Sequence, residues 1–143
     1  MSKPIPFRIV GLKVEDFTIT GQTPDENAPF EIRTSYEFGV SPKPHLVNAK
    51  LPYTYLQSDT ELLTMTLNSI FEVKQDAFDE MLTDGIFTLE PFFLQYICTI
   101  NVGAARGEIH ARCEQADSLI AKVVLPPINL VEALPEPIKI TIK

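Results

Sequence analysis

The sequence predicts an α+β fold: a four-stranded antiparallel meander sheet, then a short helix, then a long apolar helix packed on one face of the sheet. Three observations predict it. Four successive stretches alternate apolar and polar residues with a period of two, the connections between them are too short for a parallel crossover, and Phe92 to Ala105 holds no charged residue. One such sheet with one such helix cannot cover all of its apolar surface alone, so the same order predicts that something else docks there.

The first strand, Phe7 to Thr20, is apolar at Val10, Leu12 and Val14 and changes parity to Phe17 and Ile19 across Glu15-Asp16, which predicts a bulge. The second, Phe30 to Val40, sets Phe30, Ile32, Tyr36, Phe38 and Val40 against Glu31, Arg33, Ser35 and Glu37, the pattern of a half-buried strand. The third, Leu46 to Leu56, places Val47, Ala49, Leu51, Tyr53 and Tyr55 on one face; Pro52 has no N–H for a ladder and predicts an edge or a bulge. The fourth, Leu62 to Val73, buries Leu63, Met65, Leu67, Phe71 and Val73. Asp76 is the expected N-cap of a short helix through Leu82 that Gly85 stops. Pro91 suits the first turn of the long helix, which must be buried on most sides. Glu108 to Glu114 either extends that helix or leaves it. Ile128 to Leu134 makes a brief third helix, closed by Pro135 and Pro137.

With 143 residues, 45% of them hydrophobic and 22% charged, the chain is expected to form one domain, 1–143, with a core that needs no staples. Twelve basic and nineteen acidic residues leave a formal charge of −7, which repels phosphate backbones and anionic membranes, so neither nucleic acid nor membrane insertion is expected. The uncharged run is too short to span a bilayer. Two cysteines, Cys98 and Cys113, and no basic-then-apolar opening segment point to a reducing cytoplasm.

Residues that do chemistry are sparse. His45 and His110 sit in dissimilar contexts without a carboxylate pair, so no enzyme is expected. His110 and Cys113 have helical spacing but make at most half a zinc site; no metal and no cofactor is expected. Gly103-Ala104-Ala105-Arg106-Gly107 lacks the lysine and hydroxyl pair of a phosphate loop and follows a helix, which points to close helix packing. Cys98, in an apolar helix with no cationic neighbour in sequence, reads as an inert core thiol. Apolar surface is what remains. Phe92, Phe93, Tyr96, Ile97 and Ile100 cover more than one side of a helix, so a stripe is left after one side packs on the sheet. That stripe serves either subunit association or a groove for apolar segments of another chain. Phe30, Tyr53 and Tyr55 are candidates to line the groove and equally good core residues.

These residues resemble the SecB-type export chaperone family, over most of the chain and in the order of elements. Local matches are Glu15-Asp16-Phe17-Thr18-Ile19, Ile70-Phe71, the helix opening at Pro91, Arg106-Gly107, and Pro127-Ile128-Asn129 with Ala133-Leu134, similar to the family's Pro-Val-Asn-Phe followed by Ala-Leu. The resemblance implies a homotetramer, a dimer of dimers, that holds unfolded clients in apolar grooves without ATP until they reach a translocase or fold. A flexible apolar groove suits many client sequences. It also implies docking of the SecA motor through acidic residues on the sheet. Asp16 matches one of these, whereas Thr20 and Thr64 stand where acids align. With a longer 108–125 segment and a proline-shortened end, the chain reads as a divergent branch serving export or a dedicated client such as an antitoxin. The expected function is an ATP-independent holdase with Phe30, Tyr53, Tyr55, Phe92, Phe93, Tyr96, Ile97 and Ile100 as peptide-binding residues; the alternative is an assembly protein whose apolar surfaces serve only self-association.

Overall fold

Strands β4 (Leu46–Gln57) and β5 (Thr60–Val73) form the centre of the main sheet. Their alternation dictates it: Val47, Ala49, Leu51, Tyr53 and Tyr55 face the same side as Leu63, Met65, Leu67, Phe71 and Val73, and all are buried. The computed structural model describes residues 5–25 and 27–142. Ser58 and Asp59, both at positive φ, make the tight turn between these strands.

The α+β class and the antiparallel pairing are as expected, but strand order is not that of a simple meander. The sheet runs β1 (Phe7–Ile19), β5, β4, then β2 (Glu31–Thr34) and β3 (Glu37–Ser41) along the outer side of β4. The first strand therefore lies beside the last long one, a Greek-key order. The connection from β1 to β2 passes the β4–β5 turn, where Gln57 holds it: its side-chain amide donates to the carbonyls of Asp25 and Ala28 (2.8 and 3.0 Å) and its Oε1 accepts from Asp25 N–H.

The expected bulge in β1 is present, and there is a second one. Pairing with β5 shifts between Val14 and Asp16 and again between Ile9 and Gly11. Each shift inserts one unpaired residue, Glu15 and Val10, and reverses the parity. The inward residues, opposite Val73, Phe71, Ser69, Leu67, Met65 and Leu63, are consequently Phe7, Ile9, Leu12, Val14, Phe17 and Ile19. Val10 does not belong to that face. Glu15 projects to the polar side, where its carboxylate meets Lys50 Nζ at 2.7 Å; the hydrogen bond from Lys50 holds the Glu15 pKa below the usual carboxylate value.

Pro52 sits in a central strand, not at an edge or bulge. It pairs with Thr66 on one side, and its missing N–H appears on the other as the gap between β2 and β3. Thr34 pairs with Tyr53 and Glu37 with Lys50, so register is kept across the gap and Ser35 stands opposite Pro52.

Helix α1 (Gln75–Met81) starts one residue before Asp76, with Lys74 at its N-cap. Gly85 does not end it. Asp84 and Gly85, both at positive φ, turn the hairpin between β6 (Leu82–Thr83) and β7 (Ile86–Leu89), and β8 (Ile138–Thr141) pairs with β7 to complete a second, three-stranded sheet.

Helix α2 (Pro91–Gln115) runs straight through Gly107. It ends in a Schellman motif with Asp117 in the left-handed position: Ser118 N–H donates to Cys113 O (2.9 Å) and Asp117 N–H to Glu114 O (3.1 Å). Its inner face, including Phe93, Leu94, Ile97, Cys98, Val102 and Ile109, lies on the sheet. At its centre, buried Asn101 docks it to β4 and β5: Tyr53 Oη donates to Asn101 Oδ1 (2.7 Å), and Asn101 Nδ2 donates to Leu67 O (3.1 Å), Ala49 O (3.2 Å) and Ser69 Oγ (2.9 Å). A strap then returns along α2: a 3-10 turn (Leu119–Lys122), an extended stretch, and α3 (Leu130–Ala133), whose N-cap Asn129 accepts from Glu132 N–H. The brief third helix is thus two residues shorter at its start than expected.

Candidate functional site: an apolar groove beside the long helix

The two flanks of α2 are finished differently. One lies under the strap. The other faces β1, an edge strand that pairs on one side only among the described residues, and is open.

Helical spacing puts Phe92, Tyr96, Ile100, Gly103 and Gly107 on the β1 side. Aromatic contacts confirm the placement at one end: Phe7 packs edge-on against Phe93 and Tyr96, each with ring centroids 5.4 Å apart, and against Phe71 at 5.6 Å. At the other end the Arg112 guanidinium lies 5.4 Å above the Phe17 ring, while Arg112 also pairs with Glu108 at 3.0 Å. Between these contacts the strand offers Ile9 and Leu12 on its inward side and the helix offers Ile100, Gly103 and Gly107. β1 and α2 thus run side by side from Phe7 to Phe17 along an apolar strip. Its well-formed end is a groove of about 620 Å³ walled by Ile5, Phe7, Ile9, Phe92, Tyr96 and Ile100 and floored by Phe93.

Two properties set this flank apart from the covered one. Ile9 and Tyr96, 42% and 62% exposed although large and apolar, both line the groove, and Leu12, 52% exposed, lies farther along the same face of β1. Gly103 and Gly107 leave the helix bare farther along: a Cβ built at either meets nothing within 4 Å. The rim holds Arg8, which donates to Glu72 at 2.9 Å and spans the edge of the sheet. A larger, polar-rimmed cleft of about 860 Å³ adjoins it across Ile5, Pro6 and Phe92 and carries Lys74, Asp76 and Glu90.

The structure divides the residues named from sequence. Phe92, Tyr96 and Ile100 come together in the groove, with Phe93 as its floor at 1% exposure. Tyr53, Tyr55 and Ile97 have no exposed surface and are core in this chain, because β4 is central and the inner side of α2 closes over it. Burial raises the Tyr53 and Tyr55 phenol pKa values, that of Tyr55 to about 12. Phe30 packs against the core on the β2 side, across the sheet from the groove. Asp16 lies on the outer, polar face, where its carboxylate accepts from Thr66 Oγ1 at 3.2 Å. Burial raises the Cys98 thiol to about 12 and pushes Cys113 up as well, so neither is nucleophilic at neutral pH. Among the described residues no group of three or more His, Cys, Asp or Glu side chains is placed to hold a metal, and no helix is long and apolar enough to cross a membrane.

No protein-family model matches the chain, and no curated protein matches it. Among solved structures, a SecB-like chaperone of Mycobacterium tuberculosis, in complex with a ChAD peptide from the HigA1 antitoxin, aligns with a TM-score of 0.45 and 13% identity over 85% of this chain and 86% of that one.

Sequence reasoning missed the strand-side wall, Ile5, Phe7 and Ile9. A signal was present. Phe7 and Ile9 alternate, as do Leu12 and Val14, and the two sets fall out of step at Val10, the mark of a second inserted residue.

Proposed function

We propose that this protein is an ATP-independent holdase that accepts non-native, extended polypeptide segments in the groove between β1 and α2. One observation carries the proposal: an apolar groove of about 620 Å³, lined by the exposed Ile9 and Tyr96, lies beside β1, a strand that pairs on one side only among the described residues. Apolar side chains of a client fill the strip, and its main chain has a ladder within reach; neither contact demands one client sequence. Binding and release need only many weak contacts, with no covalent step. The proposal extends to a homotetramer built as a dimer of dimers in the cytoplasm. It also favours a dedicated client, such as an antitoxin, over export, since Thr20 and Thr64 replace acids beside Asp16 on the outer face and weaken the case for SecA docking there.

The test is suppression of aggregation. A chemically unfolded client diluted into stoichiometric protein without ATP should stay soluble, and Tyr96→Asp with Ile100→Asp should remove that effect while the chain remains folded by circular dichroism. Failure of the unaltered protein, or full activity of the double variant, would overturn the proposal.

One observation favours a second reading, self-association alone: the open glycines at 103 and 107 permit close approach of another helix. In that case a hydrophobic dye should find no apolar site on the native oligomer.

A further inference from the structure

The strand-side wall of the groove is not a strand face. Ile5, Pro6, Phe7, Arg8 and Ile9 line it in unbroken succession, where a face would contribute only alternate residues. The wall is therefore the edge of β1, main chain included.

Which main-chain groups that edge presents follows from hydrogen bonds at the end of the sheet. Lys74 N–H donates to Pro6 O (3.0 Å), which makes Pro6 and Lys74 a hydrogen-bonded pair of the antiparallel ladder. Val73 turns the other way: its N–H donates to His45 O on the β4 side (3.1 Å), and its carbonyl accepts from His45 Nδ1. Phe7, opposite Val73, thus has neither group used by β5. By the alternation of the ladder, Arg8 exchanges bonds with Glu72, and Ile9, opposite Phe71, again does not. The N–H and C=O groups of Phe7 and Ile9 therefore point away from β5, along the side where the groove lies. Among the described residues no loop or side chain takes them up.

We infer that a client enters the groove as an added antiparallel strand, paired with Phe7 and Ile9 through those four groups. This rests on the holdase reading above. Residues opposite one another in a ladder share a face, so the two client residues bonded to Phe7 and Ile9 turn their side chains toward Phe92, Tyr96 and Ile100, and the residue between them turns toward Arg8 and the polar face. The occupant is an extended stretch with two apolar residues and any residue between them. Neither apolar position accepts proline, because each gives up an N–H. A second copy's β1 fits less well: Val10 and Glu15 break the outward ladder into short runs, which blunts a long edge against its like, whereas a flexible client needs only one run.

The test is residue-resolved amide exchange by NMR on the full chain, alone and saturated with a reduced, alkylated, permanently unfolded polypeptide. In the free protein Arg8 should exchange slowly and Phe7 and Ile9 fast; in the complex Phe7 and Ile9 should slow at least tenfold. If both stay fast in a formed complex, the added strand is overturned and the holdase reading stands. Protection of both without client, rising with protein concentration, would assign the edge to a second copy instead. If no complex forms, the holdase reading falls and the added strand with it. Two variants separate main chain from side chain: Ile9→Pro removes an outward donor that pairing with β5 does not use, and Ile9→Ala keeps it. The proline variant, folded by circular dichroism, should bind the same polypeptide several-fold more weakly than the alanine variant. Equal binding by the two would overturn the ladder.

Discussion

The two flanks of α2 carry comparable apolar side chains and meet opposite fates. On the strap side, Ile120, Leu125, Leu130 and Leu134 close over the helix, and Arg106 and Gln95 fix the covering chain. On the β1 side, Tyr96, Ile100, Gly103 and Gly107 face a strand that stops short of covering them. Hydrophobicity alone does not decide which surface of a helix becomes core; what decides is whether the chain has a segment left to lay over it.

Four changes break or sharpen this contrast. Asn101→Leu removes the bonds that seat α2 on β4 and β5 and leaves Tyr53 Oη without its acceptor, a cost on the order of 4 kcal/mol. Its urea midpoint should fall sharply; a small loss would mean that packing, not Asn101, seats the helix. Next come matched truncations. Leu125→Ala on the covered flank should cost about 3 kcal/mol. Tyr96→Ala on the open flank should cost under about 1 kcal/mol, yet weaken client binding about tenfold. Equal stability losses from the two would show that both flanks are core. Smaller still, Gly103→Ala should stabilise the isolated chain by about 1 kcal/mol, because a mid-helix glycine gains a better helix former that meets nothing. Loss of stability there would mean that the flank is occupied in solution.

The smallest effect at neutral pH concerns Cys98. Its folded pKa, about 12, lies above the ordinary value of 9.0, so its contribution to stability is complete below about pH 9 and is lost as pH rises towards 12. The advantage of the unaltered protein over Cys98→Ala in urea should be constant to pH 9 and shrink above it. A constant advantage through pH 11 would mean that water reaches the thiol and that the inner face of α2 is not closed.

Much of this was legible. Two-residue alternation located the long strands of the sheet, and an uncharged stretch after Pro91 located α2, because burial on one or on most sides writes directly into residue choice. Pro52 was readable as a missing donor but not as a central residue: the neighbouring strand absorbs the defect by breaking its ladder at Ser35. Strand order was not legible, since β1 alternates equally well beside β2 or β5. The helix-side residues Phe92, Tyr96 and Ile100 were found by their spacing, whereas Tyr53, Tyr55 and Ile97 have the same chemistry and differ only in what lies over them. That information belongs to the tertiary arrangement.

The position of β1 has a kinetic consequence. Its pairs with β5 reach from Ile19–Leu63 to Phe7–Val73, contacts more than forty residues apart in sequence. A chain made from its first residue holds β1 in reserve until β5 exists, and closing so large a loop is slow compared with forming the β4–β5 hairpin. During that delay the edge of β5 that β1 will cover is bare, an unpaired ladder open to another copy. Half-made copies can therefore pair with one another through that edge, so the yield of refolding should fall as protein concentration rises.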